Sequence, residues 1–389
     1  MSAVGLRRGD TRARLGFLVG LVAVGLSAAC SSGSTVIDDN LTAATTATAS
    51  FQLVKSSGRL SVLSGAGESL VRDEGRIGAD NRTVVAGAVG ANAVGVVDGA
   101  WLGLIGPDGS ARTVACRRCR SVMAGGNDVV VLRDSQADDL AFEIVRFDAG
   151  LGEQHAVTAR RMTERTSPDA EENNDAELLA ANATTVWVAY TDRFGFVRGG
   201  SRTIAAYSND GRLIRSTHVL GTIYAHAVSA DGRFLAIANG GSGGACVTDS
   251  SIDVIDLTAM RGLDAEPRIP VRARLEAAPD DVPSLNFTTE QLYWNGSVAV
   301  AVGITSRGND AVSGCDREAT TWVRKYDPST QRFTDTKTGR NTDIAVGPAC
   351  GDGWHRDKTV VITSSTGTVR RVDDLLYAPP PPAGCGEQR

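Results

Sequence analysis

The chain has 389 residues, 42% of them hydrophobic and only 5% aromatic, with 40 Lys and Arg against 45 Asp and Glu and a formal charge of -5. The first 29 residues hold four Arg and one Asp, so residues 30–389 carry -8, and an acidic chain of this kind repels phosphate backbones and argues against nucleic acid as a partner. The length suits either two average domains or one large repeat fold.

In chain order, Arg7, Arg8, Arg12 and Arg14 precede an uncharged apolar run from Leu15 to Leu26, and the small residues Ser27, Ala28 and Ala29 follow. This charged, apolar and small-residue order is that of a secretory signal peptide. The apolar run is shorter than the roughly 20 residues a transmembrane helix needs. Cys30 comes next, and Leu26-Ser27-Ala28-Ala29-Cys30 resembles the lipobox of bacterial lipoproteins. That resemblance implies removal of residues 1–29 and lipidation of Cys30. The expected location is the outer side of the cytoplasmic membrane or the outer membrane, with the membrane engaged through the lipid anchor. In a diderm cell, Ser31 after the Cys resembles outer-membrane sorting.

Ser31 to Ser50 reads SSGSTVIDDNLTAATTATAS, small and hydroxyl residues with little to bury. The expectation for residues 30–50 is a lipidated Cys followed by a flexible tether, which fully extended would reach roughly 70 Å at about 3.3–3.6 Å per residue.

Residues 51–378 repeat a unit of apolar strand, turn and second strand. The turns, rich in Asp, Asn, Gly, Pro and Ser, fall near residues 107, 148, 208, 256, 327 and 373, a mean interval of about 53 residues. A more apolar stretch precedes each one: Thr83 to Ala88, Val129 to Leu132, Val186 to Tyr190, Phe234 to Ala238, Val298 to Val302 and Thr359 to Ile362. These stretches are short, β-branched and bounded by turn formers, the signature of buried strands, and no long 3.6-residue period follows residue 50. Ser229-Ala-Asp-Gly-Arg-Phe-Leu-Ala236 resembles the S-x-D-G-x-x-L-A element of Tol-system and WD-repeat-like propellers, in which Asp-Gly makes the tight turn into an inner strand. The expected fold is an all-β β-propeller of six blades. The strands around 51–55 and 59–63 would then join the last blade, or make a partial blade of their own and raise the count to seven. A proline-rich tail, 379–389, cannot continue a ladder because proline lacks the N–H donor.

Seven Cys is odd for an exported chain, and setting Cys30 aside leaves Cys116, Cys119, Cys246, Cys315, Cys350 and Cys385. Six Cys close as three disulfides in an oxidising compartment. Neighbourhood favours Cys116 with Cys119, Cys246 with Cys315 and Cys350 with Cys385, among 15 possible pairings. Cys116-Arg-Arg-Cys119 lacks the second Cys pair of a zinc site and the helical context of a thioredoxin motif, so it reads as a structural staple.

Signals for chemistry are weak. Gly240-Gly-Ser-Gly-Gly244 satisfies G-x-S-x-G, but the nucleophile elbow needs a following helix, and the flanking sequence favours a flexible loop. Asp169, Glu171, Asn173 and Asp175 alternate oxygen ligands that suit Ca²⁺, without the Gly and Glu of an EF-hand, so a solvated acidic loop is favoured and no cofactor is expected. Asp352, Trp354, His355, Arg356 and Asp357 form the densest polar and aromatic loop, a candidate rim contact for a ligand or partner. The expected function is a non-catalytic envelope lipoprotein that presents its propeller to an envelope protein or cell-wall partner. The alternative is a propeller hydrolase or lactonase with a channel metal site. Non-reducing mass mapping of the exported protein should find no free thiol, and one unmodified cysteine would defeat the pairing scheme.

Overall fold

The structure is a computed structural model. It divides at Asp38/Asp39 into two units, and the described residues all belong to the second. They span 41–380 apart from 57, 65–66, 74, 80–81, 137–140, 162–175, 192–200, 245–246, 259–270, 277–284, 308–319, 341–352, 355–359, 364–368 and 373.

The described residues form seven antiparallel sheets in chain order. The first holds β1 (Gln52–Ser56), β2 (Arg59–Ser64) and β3 (Gly67–Leu70), and the second β4 (Val85–Gly90), β5 (Ala93–Val97), β6 (Trp101–Ile105) and β7 (Ala111–Ala115). The third runs through β8 (Cys119–Gly125), β9 (Asp128–Asp134), β10 (Ala141–Phe147) and β11 (Glu153–Arg160), and the fourth through β12 (Glu177–Ala181), β13 (Thr185–Thr191), β14 (Ser201–Ser208) and β15 (Leu213–Leu220). In the fifth are β16 (Thr222–Val228), β17 (Phe234–Gly244), β18 (Val247–Asp256) and β19 (Val271–Glu276), and in the sixth β20 (Leu285–Asn295), β21 (Val298–Arg307), β22 (Thr320–Asp327) and β23 (Arg332–Arg340). The seventh holds β24 (Gly353–Trp354), β25 (Val360–Thr363) and β26 (Val369–Val372). The last strand, β27 (Asp374–Tyr377), leaves its neighbours in sequence and pairs with β1, so the first sheet runs β27-β1-β2-β3.

This is the β-propeller arrangement that the sequence suggests. Within each complete sheet the strands follow one another outward as a meander, and the first strands stand side by side: β27 against β4, β4 against β8, β8 against β12, β12 against β16 and β16 against β20. The strands around 51–63 make a sheet of their own, completed by β27, and do not extend the last one.

Burial follows position in the sheet. Second strands lie between neighbouring sheets on both faces, and the best covered read as apolar runs: Val129–Leu132 in β9 is buried, and so is every residue of β13 but the last. The outermost strand β11 has one buried position, Ala159. The inner strands approach so closely that small residues are needed; a Cβ on Gly87 of β4 would collide with the Val122 carbonyl of β8.

The expected turns are legible as one device. Near 107, 148, 208, 256 and 327 they follow the third strands of sheets two to six. In four of them an Asp carboxylate accepts from a backbone N–H two residues on: Asp108 from Ser110 at 3.0 Å, Asp148 from Gly150 at 2.7 Å, Asp256 from Thr258 at 3.1 Å and Asp327 from Ser329 at 2.8 Å. In the fifth, Asp210 accepts from the Ser208 hydroxyl. The Ser110, Ser208 and Ser329 hydroxyls hold the carboxyls of Asp108, Asp210 and Asp327 below the ordinary range. The sixth expected turn, near 373, lies outside the described residues. The apolar stretch Thr83 to Ala88, expected as a buried strand, enters β4, which is only partly buried from Val85 onward, while Val84 before it is buried.

Of the expected tether, residues 41–50 are instead hydrogen-bonded into the propeller, and residues 30–40 lie outside the described residues. The Ala44 N–H donates to the Gly232 carbonyl and the Thr45 N–H to Ala181, each at 2.7 Å, while Ser50 reaches Ala91 at 3.2 Å. Thr45 Oγ1 accepts from the Gly126 N–H at 2.7 Å, Thr46 Oγ1 donates to the Ala230 carbonyl at 2.9 Å, and the Asn182 amide donates to Thr42 O at 2.9 Å. The Ala49 N–H donates to the Tyr377 hydroxyl at 2.8 Å. Between Thr46 on the fifth sheet and Ala49 on the first lie three peptide steps, at most about 11 Å. Those sheets are not neighbours, so the segment crosses the mouth of the ring. Small side chains that looked suited to a free linker are what a narrow mouth admits: Ala49 is fully buried and Ala44 nearly so.

Amide exchange should therefore be slow at Ala44, Thr45, Ala49 and Ser50, whereas a free tether would exchange at once at all of them. Ala44→Leu, which overfills this seat, should lower stability by about 1–3 kcal/mol in a urea titration.

Candidate binding site

The S-x-D-G element makes the turn from β16 into β17. Ser229 and Phe234 close it from both sides: the Ser229 N–H donates to the Phe234 carbonyl at 2.8 Å, and the Phe234 N–H donates to Ser229 Oγ at 2.8 Å. Asp231 accepts from the Ser229 hydroxyl at 2.5 Å and from the Arg233 N–H at 3.1 Å. Gly232 takes φ of 70°, the left-handed region, and a Cβ there would strike the Ala44 carbonyl, so this position admits only glycine on two counts. The expected Asp-Gly turn is present, but it leads into the second strand of its sheet and not the innermost one.

The turn fixes a layered stack. Trp294 of β20 lies under Phe234 with ring centroids 6.1 Å apart, and the Arg233 guanidinium sits 4.9 Å from the Phe234 centroid. Trp294 is itself anchored, its indole N–H donating to the Ala227 carbonyl at 2.9 Å. Arg233 donates through Nε at 3.2 Å and Nη2 at 2.9 Å to Asp256, whose side chain is wholly buried while that of Arg233 is 48% exposed. Burial works to raise the Asp256 pKa, but the hydrogen bonds from Arg233 and Thr258 outweigh it and hold the carboxyl below its ordinary value; the same pair raises the Arg233 pKa. The guanidinium is thus locked in place with one face on an aromatic ring.

Beside this stack, between the fifth and sixth sheets, lies a cavity of about 400 Å³. Phe234, Tyr326 and Pro328 give it an apolar floor, and Ser229, Asp231, Ser297 and Ser329 a polar rim. Its walls are the turns after β16, β20 and β22. Because strand direction alternates, turns after first and third strands share one face of the propeller, and this is also the face crossed by residues 41–50. The site can hold an apolar or planar group against the floor while the rim takes hydrogen bonds, an arrangement of binding groups.

The sequence-nominated residues fare differently. Cys116 and Cys119 form a disulfide in the connection from β7 to β8, with Cα atoms 5.6 Å apart and both residues buried. That burial agrees with a staple. Cys30, Cys246, Cys315, Cys350 and Cys385 lie outside the described residues, as do Asp169, Glu171, Asn173, Asp175, Asp352, His355, Arg356 and Asp357. Trp354 is in β24, paired with Val360. Gly240-Gly-Ser-Gly-Gly244, expected as a loop, is instead the end of β17, in ladder register with β18, since glycine backbones pair as well as any other. His155, His218 and His226 approach Asn209, Thr203 and Glu177 respectively and do not converge. Among the described residues no three His, Cys, Asp or Glu gather as a metal group.

Sequence reasoning found the Ser229–Ala236 turn but missed the cavity. The turn near 327 was visible in the sequence, and the ring arrangement brings Pro328 and Ser329, with Gly296 and Ser297, beside Phe234.

No family model matches the chain, and no curated protein matches it. Solved structures similar to it include Kluyveromyces lactis Hsv2, at 11% identity and TM-score 0.39, over 75% of this chain and 85% of that one. Hydrazine synthase of Kuenenia stuttgartiensis aligns at 10% identity and TM-score 0.43 over 79% of this chain and 98% of that one. The WD40 domain of Neurospora crassa Pan2 aligns at 10% identity and TM-score 0.39 over 77% and 79%. The propeller assignment stands on the sheet order and the packing of first strands.

Proposed function

We propose that this chain is a non-catalytic lipoprotein of the cell envelope whose propeller serves as a binding scaffold, held to a membrane through Cys30. The observation that carries the binding half is the cavity between the fifth and sixth sheets, with its rigid Trp294-Phe234-Arg233 stack and hydroxyl rim. A guanidinium clamped by a buried carboxylate is a preorganised surface: little side-chain freedom remains to be lost when a partner docks. The anchoring half is supported by the order of charged, apolar and small residues before Cys30. The odd cysteine count of an exported chain supports it too.

Two measurements test the halves separately. Cys30→Ala should move the protein from the membrane fraction to the soluble fraction, and unchanged membrane association would defeat the anchor. A photo-crosslinking amino acid placed at Ser329, on the cavity rim, should give a discrete adduct in living cells, while the same group at Gln154 on exposed β11 should not. Ser297→Trp, which fills the cavity, should reduce the Ser329 adduct about tenfold. Equal labelling from both positions would rule out the cavity as the binding site.

A further inference from the structure

We infer that the propeller faces its membrane with the surface that carries the turns after first and third strands, so that the cavity beside Phe234 opens into the gap between domain and bilayer. This rests on the reading of Cys30 as the lipid anchor. It adds an orientation, which that reading does not supply.

The argument is one of connectivity. The chain enters the propeller across one face, where Thr42, Ala44, Thr45 and Thr46 are hydrogen-bonded to the turns of the third, fourth and fifth sheets. Ala49 is then tied to Tyr377 before β1 begins. A lipidated Cys30 is separated from Leu41 by ten residues, Ser31 to Asn40. These span at most roughly 35 Å when extended, half the reach of a tether running to residue 50. Because the seat lies at the ring's mouth and not on its rim, the restraint acts near the axis, and a short leash at the axis of a disc turns that face toward its point of attachment. Reaching the bilayer with the opposite face forward would require the leash to pass round the whole disc.

The face carries charge of both signs: Asp148, Asp210 and Asp327 lie in turns on this side, and so do Arg233 and Asp108, the latter paired with Arg72 at 3.0 Å. A mixed surface of this kind is not drawn strongly to anionic headgroups. What the cavity meets is the narrow aqueous layer above the headgroups, and a partner reaching it there is membrane-held or small.

The test uses the full lipidated protein on phosphatidylcholine vesicles bearing an energy-transfer acceptor on the headgroup. A fluorescent amino acid is placed at Ser297 on the cavity rim or, separately, at the exposed Gln136 in the connection after β9 on the other face. Stronger transfer from Ser297 than from Gln136 is expected. Ala44→Trp, which unseats the entering segment, should shrink the difference without releasing the protein from the vesicles. Equal transfer from the two positions, or stronger transfer from Gln136, overturns the orientation alone. Failure of the lipidated protein to float with vesicles overturns the anchor reading and this inference with it.

Discussion

Among the described residues, middle strands such as β9 and β13 are buried on both faces, and only a neighbouring sheet can cover each face, so the ring has to close. Closure depends on β27 crossing from the end of the chain to β1 at its start. The seam is short: Leu53 faces Tyr377, Val54 faces Leu375 and Lys55 faces Asp374, with a register shift between Leu53 and Val54. Tyr377 ties the arrangement together, since its hydroxyl accepts from the Ala49 N–H while the residue packs against the core cluster that includes Phe51, Leu53 and Ile105. Burial pushes its phenol pKa up. The segment that crosses the mouth is therefore a second tie across the same ring, joining the first sheet to the fourth and fifth over a path that β27 does not use.

The polar groups buried near that mouth serve the same end. Arg146 is nearly inaccessible, and its guanidinium donates to the Gly125 carbonyl at 3.0 Å, the Asn182 carbonyl at 2.8 Å and Asn209 Oδ1 at 3.0 Å, while Asp128 lies 3.6 Å away. Desolvation lowers its pKa, and the hydrogen bonds keep burial of the charge tolerable. Asn182 in turn accepts from the Thr184 and Thr185 N–H groups, at 2.8 and 2.7 Å, and passes its amide to Thr42. One chain of hydrogen bonds thus runs from the third sheet through the fourth into the entering segment. An apolar residue at 146 would leave the two carbonyls it serves without their donor, each costing about 1–3 kcal/mol.

How much of this was legible in the sequence depends on how local the cause is. The Asp-centred turns were readable because an Asx turn is made within two or three residues, and the buried second strands because burial on both faces leaves an unbroken apolar run, as in Val129–Leu132. The Thr83–Ala88 stretch misled because inner strands pack so tightly that glycine and alanine interrupt them, and β4 reads as VAGAVG. The seat of Thr42–Ala49 was illegible for a deeper reason: low hydrophobicity marks a segment that cannot build a core of its own, and it says nothing about whether others have built a slot for it. Gly232 carried the only local trace, since a left-handed turn explains the glycine without revealing that the Ala44 carbonyl occupies the space a side chain would need.

The same turn joins the two functional features. Residues 229–233 form a wall of the cavity on one side, and on the other they receive Thr46 at the Ala230 carbonyl and Ala44 at the Gly232 carbonyl. Its backbone is fixed by bonds from both ends of the S-x-D-G element, so it has little freedom to respond independently to a ligand and to the entering chain. On the anchoring proposed through Cys30, a rigid wall shared by the cavity and the seat of the entering chain would let whatever holds the domain also set the direction in which the cavity opens.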